Sequence, residues 1–259
     1  ARSPSTVVVL AICLALCLPV AKLLGRRLQL LRFSDAVAIG RKAYDNFSKG
    51  ITYYLSAKAI LLSIFVVPLI VGVPFPLAPI QIIATELLMD LASSTIFVTE
   101  EAEPGVLRRP PRRRRRYLSR EVGLRILRNM AGLVAAILAV YFGSLGMGLG
   151  VASARTAAWA TWLLGHIVLA LNLKQERVPL LEQGLFSNRF AAGWLAGMIA
   201  LVVAMTLIPA VGDVLDTTPL TAAQWAMVVG GAMLASGWIE VRKWVRRGRT
   251  PEGAPAPGR

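Results

Sequence analysis

The chain has 259 residues, of which 56% are hydrophobic and only 17% are charged, and its mean hydropathy is +0.60. This composition exceeds what a single soluble core needs, so it predicts several membrane-spanning segments. The net charge of +15 does not indicate a nucleic-acid partner, because the arginines occupy short segments between apolar runs and not one folded basic face.

About seven apolar runs have roughly the length that a helix needs to cross a lipid bilayer. They are residues 6–24, 51–73, 76–98, 130–149, 153–173, 190–210 and 221–240. We therefore expect an all-α polytopic membrane protein, a bundle of about seven transmembrane helices. Nearly all Lys and Arg lie in connections 25–50, 99–129, 174–189 and 241–259. The positive-inside rule then predicts a multi-pass protein of the cell membrane, with its N-terminus outside and its C-terminus cytoplasmic.

The charge pattern also divides the chain into three parts. Residues 1–27 are predicted to form an uncleaved transmembrane anchor, because more positive charge follows the first apolar run than precedes it, the reverse of a cleavable signal. Residues 28–247 contain the other six spans, and residues 248–259, rich in Pro, Gly and Ala, are predicted to be a disordered cytoplasmic tail. The first part of the six-helix segment, Leu28–Gly50, reads as a helical stalk that continues into the second span.

Prolines mark the end of the second span and the start of the third. Pro68 lies inside the second span, where it is expected to kink the end of the helix. Pro79 is expected to begin the next helix, because a proline at the first helical position has no hydrogen bond to lose. Neighbouring helices must satisfy the carbonyl groups that such prolines free, so the pattern favours a packed bundle.

Charged residues inside two of the predicted spans are the main candidates for function. Glu86 and Asp90 lie four residues apart on one face of the third span, and Lys58 lies in the middle of the second. A charge in hydrocarbon costs several kcal/mol unless it is paired or hydrated, so we expect Lys58 to pair with one of the two acids. Such a group either lines an ion path or only fixes the register of the helices, and both readings remain open.

His166 is a single histidine in an apolar helix. It either lines the same path or simply forms a hydrogen bond with a neighbour, which is the more common role of such a residue. No second His, Cys or acid follows it three or four positions later, so the sequence identifies no certain metal site. No catalytic or cofactor-binding residue is predicted in the chain.

Several short segments with charged, proline and small residues follow one another along the chain. They are Gly40–Phe47, Pro79–Ile83 leading to Glu86 and Asp90, Arg109–Arg112, Ala170–Asn172, Gly184–Asn188 and Pro219–Thr221. Their order over residues 40–247 resembles the cation-transporting P-type ATPase family. The resemblance implies that residues 28–247 are the carboxy-terminal membrane domain of that family, with its fifth to tenth transmembrane helices.

The parts of this family that carry ATP chemistry are missing from the sequence. It has no D-K-T-G loop with an aspartate that accepts phosphate, no T-G-E loop and no nucleotide-binding domain. The chain alone is therefore not expected to hydrolyse ATP, and ATP and magnesium are implied only for a complete pump. The implied partners are the lipid bilayer, the transported cation and the missing cytoplasmic ATPase domains or a full pump.

The resemblance also maps the family's ion site onto this chain. In the calcium-pumping members the sixth helix offers an asparagine, a threonine and an aspartate, which correspond here to Glu86, Met89 and Asp90. The asparagine and glutamate of the fifth helix correspond to Lys58 and Leu61. The acid of the eighth helix corresponds to His166. Lys and Leu supply no oxygen for calcium, which takes six to eight oxygen ligands, so a calcium site is not expected. Family members that move protons use a similar arrangement of a basic residue beside an acid, so the resemblance implies a proton or monovalent cation as the cargo. Two alternatives stay open: a non-catalytic scaffold or regulatory subunit, and a passive channel or secondary carrier.

Overall fold

A computed structural model describes residues 33–87, 96–100, 120–174 and 188–247. Within these ranges the chain is helical and contains no β-strand. The helices are α1 (Phe33–Val71), α2 (Pro79–Thr85), α3 (Arg120–Gly146), α4 (Gly150–Lys174), α5 (Arg189–Leu207), α6 (Pro209–Leu215) and α7 (Ala222–Arg247). The predicted anchor 1–27 and the predicted tail 248–259 lie outside the described residues.

The prediction of an all-α membrane bundle is confirmed. Four of the described helices are long and apolar enough to cross a bilayer, namely Asp35–Val71 in α1, Val122–Gly146 in α3, Gly150–Lys174 and Arg189–Leu207. The apolar part of α7, Ala222–Ala235, is shorter. The third predicted span, 76–98, is described only in part, as α2, a π-type turn at residues 86–87 and a helical turn at residues 96–99.

The chain divides into two compact units, and the boundary falls within α1. The described part of the first unit is Phe33–Tyr44, the beginning of this helix. The second unit begins at Asp45 and contains the helices of the bundle. As the sequence predicts, one helix runs without interruption from the stalk into the second span.

Local sequence explains where α1 ends and α2 begins. Gly72, with φ of +76°, follows the last residue of α1 and takes up a left-handed conformation that a side chain would disfavour. Its N–H donates to the carbonyl of Pro68 at 2.9 Å, which closes the helix. Pro79 occupies the start of α2, as predicted, and the Ala78 N–H just before it donates to Gln81 Oε1 at 3.0 Å.

The core of the second unit is the contact of α3, α4 and α7. α4 is the central helix, because 83% of its most apolar 18-residue stretch is buried. It contributes the fully buried Trp159 and Leu163. Glycines allow the backbones to come close: a Cβ on Gly132 of α3 would lie 2.6 Å from the Ala235 carbonyl oxygen of α7. A Cβ on Gly165 of α4 would lie 2.3 Å from a methyl group of Leu133. Small residues at helix interfaces permit this spacing in membrane bundles.

The sixth predicted span is shorter than expected, and the connection after it is partly helical. The sequence suggests a span over 190–210 followed by a loop, but α5 ends at Leu207 and α6 occupies Pro209–Leu215. Ile208 is extended, with φ −103° and ψ 108°, because the residue before a proline is disfavoured in the helical region. Asp216, with φ of +52°, ends α6.

Three hydrogen bonds hold helices and connecting segments together at the end of the bundle where Pro74 lies. The Tyr141 hydroxyl donates to the Pro74 carbonyl at 2.6 Å, and Arg155 Nε donates to the Phe75 carbonyl at 2.9 Å. Gln224, which is fully buried, donates from Nε2 to Ser153 Oγ at 2.9 Å. These hydrogen bonds connect α3 and α4 to the segment that precedes α2, and α7 to the start of α4.

Candidate functional site

Lys58 and Glu86 form an ion pair between two helical segments of the second unit. Lys58 Nζ donates a hydrogen bond to Glu86 Oε2. The two side chains are 30% and 37% exposed, so the pair lies at a partly open position and not deep in the core. The ammonium also stands 4.9 Å from the centre of the Tyr54 ring, which allows a cation–π contact. The pairing that the sequence predicts for Lys58 is therefore present, and Glu86 is its partner among the described residues.

The backbone around Glu86 departs from regular helix. Glu86 directly follows the last residue of α2, and its N–H points to the carbonyl groups of both Ile82 and Ile83. Residues 86 and 87 continue as a π-type turn. Such turns in membrane helices are frequent at functional sites, because they change the direction in which side chains leave the helix. Met89 and Asp90, the other two predicted sixth-helix positions, lie outside the described residues.

His166 of α4 is completely buried in an aromatic environment. Its ring stacks on Trp162 with 5.1 Å between centroids and meets Tyr53 of α1 edge-on at 5.9 Å. Its Nδ1 lies 3.0 Å from the Trp162 carbonyl oxygen. Tyr53 precedes Lys58 by five residues, about 7.5 Å along the helix axis. His166 therefore contacts Tyr53 and Trp162, whereas Lys58 and Glu86 pair with each other.

A second charged cluster lies at the end of the bundle where the basic connections begin. We call it the inner cluster; its charged members are Lys49, Glu100 and Lys174, with side chains that are almost fully buried. Lys174 Nζ lies 3.4 Å from Glu100 Oε1. Lys49 Nζ donates to the Lys174 carbonyl at 3.0 Å, where a cation also stabilises the C-terminal end of the α4 dipole.

Two asparagines extend the inner cluster to neighbouring segments. Asn46 Nδ2 donates to the Glu100 carbonyl at 2.8 Å. Asn188 Nδ2 donates to Glu100 Oε2 at 3.1 Å, and its Oδ1 accepts from the N–H groups of Phe190 and Ala191 at the start of α5. The inner cluster therefore ties α1, the 96–100 segment, the end of α4 and the start of α5 to one another.

The inner cluster was not predicted from the sequence. Lys49, Glu100 and Lys174 lie in the predicted connections, where the two lysines indicate only orientation. One signal was available, because all three residues stand next to the predicted inner ends of spans 51–73, 76–98 and 153–173. Charges at a common membrane depth on different helices can meet when the helices pack.

The donor set in the described parts of the chain does not form a metal centre. Among the residues that the structure describes, no group of three or more His, Cys, Asp and Glu side chains is placed to hold a metal ion. What the Lys58–Glu86 arrangement offers is a carboxylate with a built-in counter-cation.

Comparisons with known proteins place this geometry in context. The family model described as "Cation transporting ATPase, C-terminus" matches residues 74–245. The chain is 25% identical over 198 residues to the calcium-transporting ATPase of Bacillus subtilis (strain 168), which covers 76% of the chain and 22% of that protein. It is 27% identical over 194 residues to the probable cation-transporting ATPase F of Mycobacterium bovis, covering 74% of the chain and 21% of that protein.

A third relative is calcium-transporting ATPase 1 of Lactococcus lactis, which is 26% identical over 216 residues. That match covers 82% of the chain and 24% of the relative. The matched region thus spans between a fifth and a quarter of the length of these relatives.

Proposed function

This chain belongs to the cation-transporting ATPase C-terminal family, and we propose that it forms part of the cation path in the membrane domain of a complete P-type pump. In this role the chain binds the cation, while ATP and magnesium are bound by cytoplasmic ATPase domains that act as its partners. We also propose the orientation that the basic connections predict, with the C-terminus in the cytoplasm.

The Lys58–Glu86 pair is the observation that carries this proposal. Charges within apolar spans are costly, and they usually mark ion paths, proton relays or counter-ions. Here the pair joins α1 to the segment that follows α2, and it stands at a partly exposed position next to a π-type turn.

The proposed cargo is a proton or a monovalent cation. Calcium takes six to eight oxygen ligands, whereas the ion pair in the described part of the chain offers the two oxygens of one carboxylate, that of Glu86. Lys58 contributes a positive charge and no oxygen. Its ammonium repels a divalent cation more strongly than a monovalent one. Two of the relatives, those of Bacillus subtilis and Lactococcus lactis, are named as calcium-transporting ATPases, so the proposed cargo differs from the one in their names.

Ion uptake by sealed vesicles tests the proposal. The vesicles are prepared from cells that express the full product of the gene, and ATP-driven uptake of protons, sodium, potassium and calcium is measured separately. The proposal predicts ATP-driven uptake of a proton or monovalent cation. ATP-driven calcium uptake as the main activity would contradict the proposed cargo, and ion flux that needs no ATP would indicate a channel or carrier instead.

Lys58→Met separates the role of the counter-cation from that of the acid. Methionine keeps most of the side-chain length but removes the ammonium, so Glu86 is left with a full negative charge to be balanced by the transported ion. We expect selectivity to shift toward ions of higher charge. Asp213→Asn, which removes an exposed acid on α6, is the control and should transport like wild type.

A further inference from the structure

Trp159 of α4 reaches across the core to the helix that precedes Glu86. Its indole N–H donates to Thr85 Oγ1 at 2.7 Å, and both residues are buried, with 0% and 2% exposure. We propose that Trp159 and Thr85 are positioning residues, which hold Glu86 in register with Lys58 and so tune its affinity for the transported cation. This inference rests on the proposed function, because it takes Glu86 as a cation-binding acid.

The Thr85 hydroxyl both donates and accepts in this arrangement. It donates to the Gln81 carbonyl one turn earlier at 2.7 Å and accepts from Trp159. A hydroxyl has one hydrogen to donate, so the indole N–H provides the contact that links Thr85 to another helix. Removal of this donor leaves Thr85 bound only to its own helix.

A second anchor fixes the same face of α2. Gln81, four residues before Thr85 and completely buried, donates from Nε2 to the Asp216 carbonyl at 2.9 Å. Residues four apart lie on one side of a helix, so Gln81 and Thr85 attach the same face of α2 to different parts of the bundle. These two hydrogen bonds attach α2 to different parts of the bundle and fix its position there.

Glu86 is the position where the anchors matter most. It directly follows Thr85, and its own N–H is shared between two carbonyls at the π-type turn. Glu86 has helical dihedral angles, φ −55° and ψ −49°, so its side chain leaves a backbone whose position the contact at Thr85 helps to set. A shift of Thr85 would move the carboxylate relative to Lys58, whose ammonium is attached to a different helix.

Trp159→Phe tests this inference, with Trp162→Phe as the matched control. Phenylalanine keeps an aromatic ring in the core but has no N–H. Trp162 is also almost fully buried and lies on the same helix, and within the described part of the chain its indole N–H has no hydrogen-bond partner. Both variants lose similar volume, and only Trp159→Phe loses a bond to α2.

Cation-stimulated ATP hydrolysis by the full protein in native membranes is the readout. We expect Trp159→Phe to raise the half-maximal cation concentration by about three- to tenfold, the factor that one ordinary hydrogen bond represents. The maximal rate per folded molecule should stay near wild type. Equal half-maximal concentrations in the Trp159 and Trp162 variants would overturn the inference.

Substitutions at Thr85 keep the test valid should Trp159→Phe fail to fold. Thr85→Val removes the hydroxyl at nearly constant shape, and Thr85→Ser retains it. The inference predicts raised half-maximal cation concentrations for valine and near wild-type values for serine; the same values for both would overturn it.

Glu86→Gln, measured in parallel, identifies which proposal fails. If Glu86→Gln keeps its cation response, the proposed function is wrong; if it loses the response while the Trp159 and Thr85 variants match wild type, only the positioning role is wrong.

Discussion

Glu100→Gln in the inner cluster should destabilise the protein strongly. The substitution preserves the shape of the side chain and an oxygen that can accept from Asn188, but it removes the negative charge beside Lys174. The side chains of Lys174 and Glu100 are only 2% and 3% exposed. Water therefore cannot replace the lost carboxylate near the ammonium.

The expected size of this effect follows from that burial. Removing one partner of a buried ion pair typically costs about 3–5 kcal/mol, because the remaining charge stays in a poorly solvating site. An exposed pair contributes no more than about 1 kcal/mol. We therefore expect Glu100→Gln to lower the free energy of unfolding by about 3 kcal/mol or more.

The assay is thermal and denaturant unfolding of the purified protein in detergent, completed as a double-mutant cycle with Lys174→Met. Methionine removes the buried ammonium but keeps the Lys174 backbone carbonyl to which Lys49 donates. The double variant should be more stable than the sum of the two single effects implies. A loss below about 1 kcal/mol for Glu100→Gln, or simple additivity of the two changes, would refute a buried and coupled pair.

Three further changes test the packing and the ends of the bundle in the same unfolding assay. Gly132→Ala should destabilise by about 1–3 kcal/mol, because the new methyl group would meet the Ala235 carbonyl, whereas Gly197→Ala, with open space around it, should be neutral or stabilising by up to about 1 kcal/mol. Equal effects of the two alanines would argue against close approach of α3 and α7. Tyr141→Phe should cost about 1 kcal/mol by removing the donor to the Pro74 carbonyl, and no change would show that this bond adds nothing. Asn188→Ala should cost about 1 kcal/mol or more, since Asn188 both caps α5 and contacts Glu100, and a wild-type unfolding midpoint would contradict that double role.

Membrane physics made part of this structure predictable from sequence. An ammonium in the middle of an apolar span needs a partner, so the position of Lys58 alone predicted an ion pair, and Glu86 was one of two candidates for it. Proline chemistry predicted the start of α2 at Pro79 for an equally local reason. In both cases a single strong constraint acts on one residue, and no knowledge of the packing is required.

Contacts between distant helices could not be predicted in the same way. Lys49 and the Lys174 carbonyl are 125 positions apart, and the hydrogen bond from Trp159 to Thr85 spans 74. Nothing in the local pattern distinguishes Trp159 from Trp162, although within the described ranges only the Trp159 indole bonds to α2. The positive-inside rule already accounts for Lys49 and Lys174 as residues of cytoplasmic connections, so nothing in the sequence indicated that they are buried. Pro209 is a local signal for a helix break, but the prediction of one span over 190–210 followed the length of the apolar run.

The cation response of Glu86→Gln tests the central claim most directly. ATP hydrolysis by the full protein in native membranes is measured over a range of cation concentrations, with Glu86→Asp as a control that keeps the carboxylate. A role for this acid in the cation path predicts that Glu86→Gln loses cation stimulation, while Glu86→Asp retains it at a higher half-maximal concentration. A Glu86→Gln variant that folds normally and responds to the cation as wild type does would show that the Lys58–Glu86 pair only sets helix register.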